Sequence, residues 1–179
     1  MKFKAKLLSE ADIDRMLTRM AHQIIEKNHG VENLCLIGIK NRGVPIAERL
    51  SENIRKIEDK KIEVGELDIT LYRDDISQIS DMPTVNSSKI DFPIEGKTVV
   101  LVDDVIFTGR TARAALDAVI KLGRPAKIQL CVLIDRGHSE LPIKANFVGK
   151  NIPTSLDELV AVRLTESDGE NSVCIFEKE

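Results

Sequence analysis

The chain has 179 residues, with 26 Lys and Arg against 29 Asp and Glu, a net charge of -3, 31% charged residues and 42% apolar residues. That balance predicts one globular domain over residues 1–179 and excludes a collagen-like chain, a disulfide-dense miniprotein and a chain too polar to fold. It argues against nucleic-acid binding by bulk positive charge, and no apolar run approaches the ~20 residues that span a bilayer. Six residues are aromatic, so the core must be mostly Ile, Leu, Val and Ala. Residues 1–10 hold lysines without a following apolar stretch, which is no secretory signal. The cysteines, Cys35, Cys131 and Cys174, are odd in number and lack CxxC spacing, which predicts buried free thiols in a cytoplasmic protein.

The first long element is a helix starting near Ser9, with Asp12 completing a capping box and Gly30 as the stop. At 100° per residue Ile13, Met16, Leu17, Met20 and Ile24 share one face. Arg15, Arg19, His22 and Glu26 take the opposite face, with Thr18 at its border. Residues 34–39 are a continuous apolar run, the signature of a strand buried on both sides. A helix is predicted over 45–56, with Ile46, Ala47, Leu50 and Ile54 as its stripe. Residues 62–72 are predicted as a strand bent around Gly65. From 74 to 96 the pattern dissolves into polar residues and two prolines, which we read as a mobile lid. Strand, helix and strand are then predicted over 97–104, 111–122 and 128–134. A short strand is placed at 147–149. The segments 159–164 and 173–176 flank Asp168-Gly169 as a hairpin.

Alternating strands and helices predict an α/β fold: a largely parallel sheet flanked by helices, with antiparallel strands added by the C-terminal hairpin. Ligands in such folds bind beyond the carboxyl ends of the strands. Three polar clusters fall there: residues 40–43, 103–111 and 135–138.

The most informative string is VVLVDDVIFTGRT, residues 99–111. Its apolar residues bury a central strand. Asp103 and Asp104 emerge at the end, where carboxylates can accept bonds from sugar hydroxyls or engage Mg²⁺. Thr108 to Thr111 then turn into a helix N-terminus, whose N–H groups and dipole suit a phosphate; Gly109 permits close approach. Acids for a ribose followed by a nest for its 5-phosphate describe a phosphorylated-sugar site. A Walker loop fails, because Gly38 to Gly43 continues Val-Pro instead of Lys-Ser/Thr, and no GxGxxG occurs. A receiver domain would place its acidic pair after the first strand and leaves the Thr-Gly-Arg-Thr turn without a role.

The same string resembles the phosphoribosyl-diphosphate signature of the type I phosphoribosyltransferases. Further strings, LTRMAH at 17–22, GELDITLYRDD at 65–75, DRGHSELPI at 135–143 and GKNIPTS at 149–155, resemble the family of bifunctional pyrimidine-operon regulators and uracil phosphoribosyltransferases. The resemblance implies a type I phosphoribosyltransferase fold and two activities. One makes UMP from uracil and phosphoribosyl diphosphate; the other is regulation by uridine-nucleotide-dependent binding of the pyrimidine-operon mRNA leader. It implies that Asp103 and Asp104 hold the ribose hydroxyls and help place Mg²⁺, and that Thr108, Gly109, Arg110 and Thr111, with Val105 beside them, hold the phosphoribosyl group. Lys40, Asn41, Arg42 and Gly43 become the diphosphate loop, with Arg42 and Arg73 as catalytic cations and Tyr72 and Arg73 at the start of the lid. Asp135 and Arg136 fall where the family binds the base, and Thr18, Arg19, His22 and His138 where it binds RNA. A homo-oligomer, dimer or larger, is implied as well, and no membrane association.

Asn41 stands where the family commonly has Thr, and Ser139 and Lys144 where Arg is common. An Arg provides a planar bidentate contact that Lys or Ser cannot, so these departures bear on RNA regulation and leave the transferase motif intact. The alternative is a uracil transferase without RNA regulation; a purine or orotate transferase fits the strings outside the phosphoribosyl motif less well. Charge is unevenly spread: residues 1–60 hold 12 basic and 9 acidic groups, and the Arg15–Arg19–His22 stripe lies in that segment.

Overall fold

A computed structural model describes residues 1–74 and 87–178. The predicted lid falls mainly on 75–86, outside the described residues.

Five parallel strands form the central sheet: β2 (Leu34–Ile39), β3 (Glu63–Leu67), β4 (Thr98–Ile106), β5 (Lys127–Asp135) and β6 (Phe147–Asn151), in the order β3-β2-β4-β5-β6. The helices are α1 (Glu10–Lys27), α2 (Gly43–Glu58) and α3 (Arg110–Leu122). Successive side chains of a strand point to opposite faces, so each run of Val, Leu and Ile serves two cores. Leu36, Val100, Val102, Cys131 and Leu133 pack toward α1 and α2, while Ile37, Val99, Leu101, Leu130 and Val132 pack toward Ala112, Ala115 and Val119 of α3. Burying one such side chain contributes roughly 1.5–3 kcal/mol relative to leaving it exposed.

Helix α1 follows the predicted chemistry. Ser9 Oγ accepts the Asp12 N–H, the Asp12 carboxylate accepts the Ser9 N–H at 2.9 Å, and Ile13, Met16, Leu17, Met20 and Ile24 are buried. All three cysteines are free and buried. Burial pushes the Cys35 thiol up to about 11 and the Cys131 thiol up to about 12.

Three expectations change. The strand predicted over 62–72 stops at Leu67, and Thr70–Tyr72 form a 3-10 turn. The cause is Asp68, whose Oδ1 accepts from both Thr70 N (3.0 Å) and Thr70 Oγ1 (2.6 Å), a local side-chain turn that competes with the ladder. Residues 2–8, given no element above, form β1 (Lys2–Leu8). The C-terminal hairpin, β7 (Glu158–Arg163) and β8 (Ser172–Glu177), does not join the parallel sheet. It pairs with β1 into a separate antiparallel sheet of order β1-β8-β7. Its connection is a one-turn helix, α4 (Thr165–Asp168), closed by Gly169 at φ 74°, so the Asp-Gly signal marks the end of a helical turn.

Among the described residues no helix is long and apolar enough to cross a membrane.

Candidate active site

The parallel sheet delivers its polar loops to one edge. After β2 come residues 40–43, after β4 the turn into α3, and after β5 residues 135–138. The first two loops meet because Gly43, with no side chain, lies against β4 at Val102 and Asp103.

Two cavities open along this edge. One, of about 390 Å³, is lined by Thr108, Gly109, Arg110 and Thr111 together with Asp103 and Phe107. The other, of about 410 Å³, is lined by Lys40, Asn41, Arg42, Asp68, Ser87 and Asp104. They share Arg73, Asp103, Val105 and Thr111, so the acidic pair stands where they join. The turn between them holds Gly109 at φ 90°, in the left-handed region, directly before α3. The N-terminus of α3 thus faces the first cavity with the positive end of its dipole.

Both carboxylates are half-buried. Asp103 Oδ1 accepts the Asp104 N–H at 2.9 Å and Asp104 Oδ1 accepts the Val105 N–H at 2.8 Å. Burial, then repulsion from the Asp104 carboxylate, raises the Asp103 carboxyl well above the usual range. A cation or a pair of donor hydroxyls would relieve that strain. Among the described residues no three His, Cys, Asp or Glu are grouped to hold a metal. The two adjacent carboxylates fit a cation that takes one or two carboxylates and completes its shell with water and substrate phosphate, as Mg²⁺ does.

Opposite the acids, the 40–43 loop is fixed from several sides. Lys40 Nζ donates to Ser87 O at 2.7 Å and lies 3.3 Å from Glu66 Oε2. The Lys40–Asn41 peptide bond is cis. Arg42 Nη2 donates to Asp168 Oδ1 at 2.9 Å, and its Nε is buried with no hydrogen-bond partner among the described residues. At the first cavity Arg110 is partnered: Nη1 donates to Asp74 Oδ2 and Nε to Glu140 Oε2, both at 2.8 Å, which raises its already high pKa. Thr108 and Thr111 also line the first cavity, and the Arg110 N–H donates to Thr108 Oγ1 at 3.4 Å.

Other predicted residues lie elsewhere. Tyr72 packs on the α3-side core with Lys121 Nζ 4.8 Å from its ring centre and lines neither cavity. Asp135 accepts the Gly137 N–H at 2.9 Å. Arg136 is 5% exposed; its Nε donates to Thr154 Oγ1 (3.0 Å), its Nη2 to Ser155 O (3.1 Å) and Glu158 O (2.7 Å). Neither residue lines the two cavities, and the Arg136 guanidinium is engaged in tying the 154–158 segment to β5. His138 Nε2 lies 2.6 Å from Thr154 O. Thr18, Arg19 and His22 are exposed together on α1; Arg19 donates to Gly149 O of β6, and Thr18 Oγ1 to Asp14 O at 3.0 Å.

Residues 6–162 match the model of the phosphoribosyl transferase domain. The chain is 60% identical over 177 residues to the bifunctional protein PyrR of Clostridium perfringens, covering 99% of each chain. It is 58% identical over 178 residues to that of Clostridium novyi, covering 99% of this chain and 100% of the relative. The chain belongs to the phosphoribosyltransferases, in the family of the bifunctional PyrR proteins. Solved structures agree on the fold. A hypoxanthine-guanine phosphoribosyltransferase from Bacillus anthracis superposes with a TM-score of 0.71 at 21% identity, covering 97% of this chain and 98% of that one. The hypoxanthine phosphoribosyltransferase of Trypanosoma cruzi gives 0.74 at 19%, covering 99% and 98%.

In this phosphoribosyltransferase several site residues escaped sequence reasoning. Asp68, Thr70 and Ser87 line the second cavity, Phe107 lines the first, and Asp168 reaches Arg42 from the other sheet. The Asp68-x-Thr70 spacing is an Asx-turn signal that was available. Asp168 had none, because its partner is 126 residues away.

Proposed function

We propose that the chain is a uracil phosphoribosyltransferase, joining uracil to phosphoribosyl diphosphate to give UMP and diphosphate, and that with uridine nucleotide bound it regulates pyrimidine-operon transcription by binding the mRNA leader. The observation that carries the enzymatic reading is the continuity of the two cavities across Asp103. A helix N-terminus stands on one side of the acidic pair and a basic loop on the other.

Breaking the bond between ribose C1 and diphosphate builds positive charge on the sugar and negative charge on the leaving group. Fixed dipoles and charges that already face both are worth most where water is excluded. In this reading Asp103 and Asp104 accept the ribose hydroxyls and steady the developing cation. The α3 N–H groups, Thr108 and Thr111 hold the 5-phosphate. Lys40, Asn41 and Arg42 receive the diphosphate, with Arg73 between the two cavities. Asp103 and Asp104 would hold Mg²⁺, which when bound screens the charge of the diphosphate. A lid over 74–96 belongs to the same proposal; of its described residues, Asp74 is bonded to Arg110 and Ser87 to Lys40, while Lys89 pairs with Glu66 of β3 and Ile94 is buried. The base sits near the 135–138 loop, reached through backbone groups, since the Arg136 side chain is committed.

The exposed α1 face of Arg15, Thr18, Arg19 and His22, beside Lys150 and Asn151 of β6, supports the RNA role. A transferase without RNA regulation is favoured by one observation. Ser139 turns its hydroxyl inward to Leu141 O at 2.6 Å, where an arginine would reach out. Leu71, Ile120 and Leu122 expose apolar surface that a second copy would cover in a homo-oligomer.

The test is steady-state UMP formation by Asp104→Asn and Arg73→Ala. Each loses most activity while keeping the wild-type melting profile. Near-normal turnover in both contradicts the site.

A further inference from the structure

Arg42 is held from outside the parallel sheet. It precedes α2 at the mouth of the second cavity, yet its Nη2 donates at 2.9 Å to Asp168 Oδ1, in the turn between β7 and β8 of the other sheet. Asp168 is itself braced: its Oδ2 accepts the Leu164 N–H at 3.0 Å, and the Ser167 hydroxyl lies 3.2 Å away. A second arginine fastens the same turn to α2 independently. Arg49 donates to Glu166 Oε1 and Oε2 at 2.8 and 2.5 Å and to Asn171 Oδ1 at 2.8 Å. Asp168 also lies beyond residue 162, where the match to the domain model ends.

Arg42 therefore has one nitrogen of its guanidinium tied to a carboxylate. Among the described residues its buried Nε has no hydrogen-bond partner, a condition that costs free energy. An arginine side chain free to sample its rotamers loses entropy when it grips an anion; one already held by a carboxylate loses less. The Asp168 carboxylate takes Nη2 of a side chain that also lines the second cavity. The braced turn is short and closed by Gly169, so Asp168 has little freedom to follow Arg42 elsewhere.

We propose that Asp168 is a positioning residue for the transferase reaction, holding the Arg42 guanidinium in place to bind the diphosphate of phosphoribosyl diphosphate and of the product. This rests on the phosphoribosyltransferase reading above. The C-terminal antiparallel sheet then has a function beyond covering the core, since its one-turn helix completes the diphosphate site.

The experiment compares wild type, Asp168→Ala, Asp168→Asn, Arg42→Ala, the Asp168→Ala/Arg42→Ala double variant and Arg49→Ala. Steady-state kinetics gives both KM values and kcat, and calorimetry gives diphosphate affinity in the presence of Mg²⁺. Asp168→Ala is expected to raise KM for phosphoribosyl diphosphate and the diphosphate Kd by roughly tenfold, the worth of one charge-assisted hydrogen bond. The uracil KM stays within twofold. Asp168→Asn, which keeps the acceptor oxygen, recovers most of the loss, and Asp168→Ala adds nothing once Arg42 is Ala. Arg49→Ala loosens the turn but leaves diphosphate affinity near wild type. The proposal is overturned if Asp168→Ala binds diphosphate like wild type, if its effect adds fully to that of Arg42→Ala, or if Arg49→Ala reproduces it. Should Asp168→Ala not fold, Asp168→Asn decides the matter: loss of diphosphate affinity as large as in Arg42→Ala contradicts positioning through a hydrogen bond. A wild-type chain that makes UMP with an Asp168→Ala variant equal to it refutes this inference alone. A wild-type chain that binds neither phosphoribosyl diphosphate nor diphosphate refutes both readings.

Discussion

Gly43 lies so close to Val102 that a Cβ on it would stand 2.2 Å from the Val102 carbonyl oxygen and 3.3 Å from the Asp103 Cα. This contact joins the basic loop after β2 to the acidic end of β4. The obstacle is backbone and cannot rotate away. Gly43→Ala must push the 40–43 loop off β4, and overpacking of this kind costs about 1–3 kcal/mol. The expected result is a lower melting temperature together with a large rise in KM for phosphoribosyl diphosphate. Wild-type kinetics in Gly43→Ala would show that the loop does not depend on this approach.

Arg136 tests the difference between a ligand-binding arginine and a structural one. Its guanidinium carbon lies 4.0 Å from the Phe107 ring centre, and Thr154 both accepts from Nε and donates back to Arg136 O at 3.1 Å. Arg136→Ala strands two carbonyls and a hydroxyl, and a loss of roughly 3 kcal/mol is expected in urea denaturation. Arg136→Lys rescues little, since one ammonium cannot span the three acceptors while stacking on a ring. A stable Arg136→Ala protein with a raised uracil KM would return this residue to the base site.

Asp68 gives the pH dependence. The Ser87 hydroxyl, then the Thr70 hydroxyl and N–H, hold its carboxyl at about 2, below the ordinary 3.8. The ionised form is the one bonded, so this contribution to stability is complete above the ordinary value and is lost as pH falls toward about 2. Carbon-detected NMR titration of Asp68 should place the midpoint near 2 in wild type and higher in Ser87→Ala. An unchanged midpoint in the variant would remove Ser87 as the principal cause.

How far the sequence was legible depends on how local the cause is. The capping box of Ser9 and Asp12, the buried runs of β2, β4 and β5 and the Gly109 turn are decided within a few residues, and each was readable. So was the convergence of the three loops, which follows from a parallel sheet. Strand β1 was missed although Lys2, Lys4 and Lys6 alternate with Phe3, Ala5 and Leu7, because its partner β8 begins at Ser172. The end of β3 was hidden by apolar Ile69 and Leu71 on either side of Thr70, a side-chain turn inside a strand-like run. The side-chain partners of Arg42, Arg110 and Arg136 come from distant loops, so sequence gave their neighbourhood and not their bonding.

The proposed RNA surface lies apart from the proposed catalytic one. His22 is exposed on α1, outside both cavities, whereas Arg19 also bonds Gly149 O and so braces α1 on β6. His22→Ala should weaken UMP-dependent binding of a pyrimidine-operon leader RNA severalfold and leave UMP formation unchanged. Arg19→Ala should weaken binding and reduce its salt dependence, as expected if a phosphate contact is lost. Leader binding that is equal in wild type and both variants, or insensitive to UMP, would leave the transferase as the only activity.

The most direct measurement is a panel of labelled bases, uracil, orotate, hypoxanthine and guanine, each incubated with phosphoribosyl diphosphate and Mg²⁺ and resolved for nucleotide product. Rapid formation of UMP, with little or no product from the other three, is the predicted result; a preference for a purine or for orotate, or no nucleotide from any base, would contradict the account.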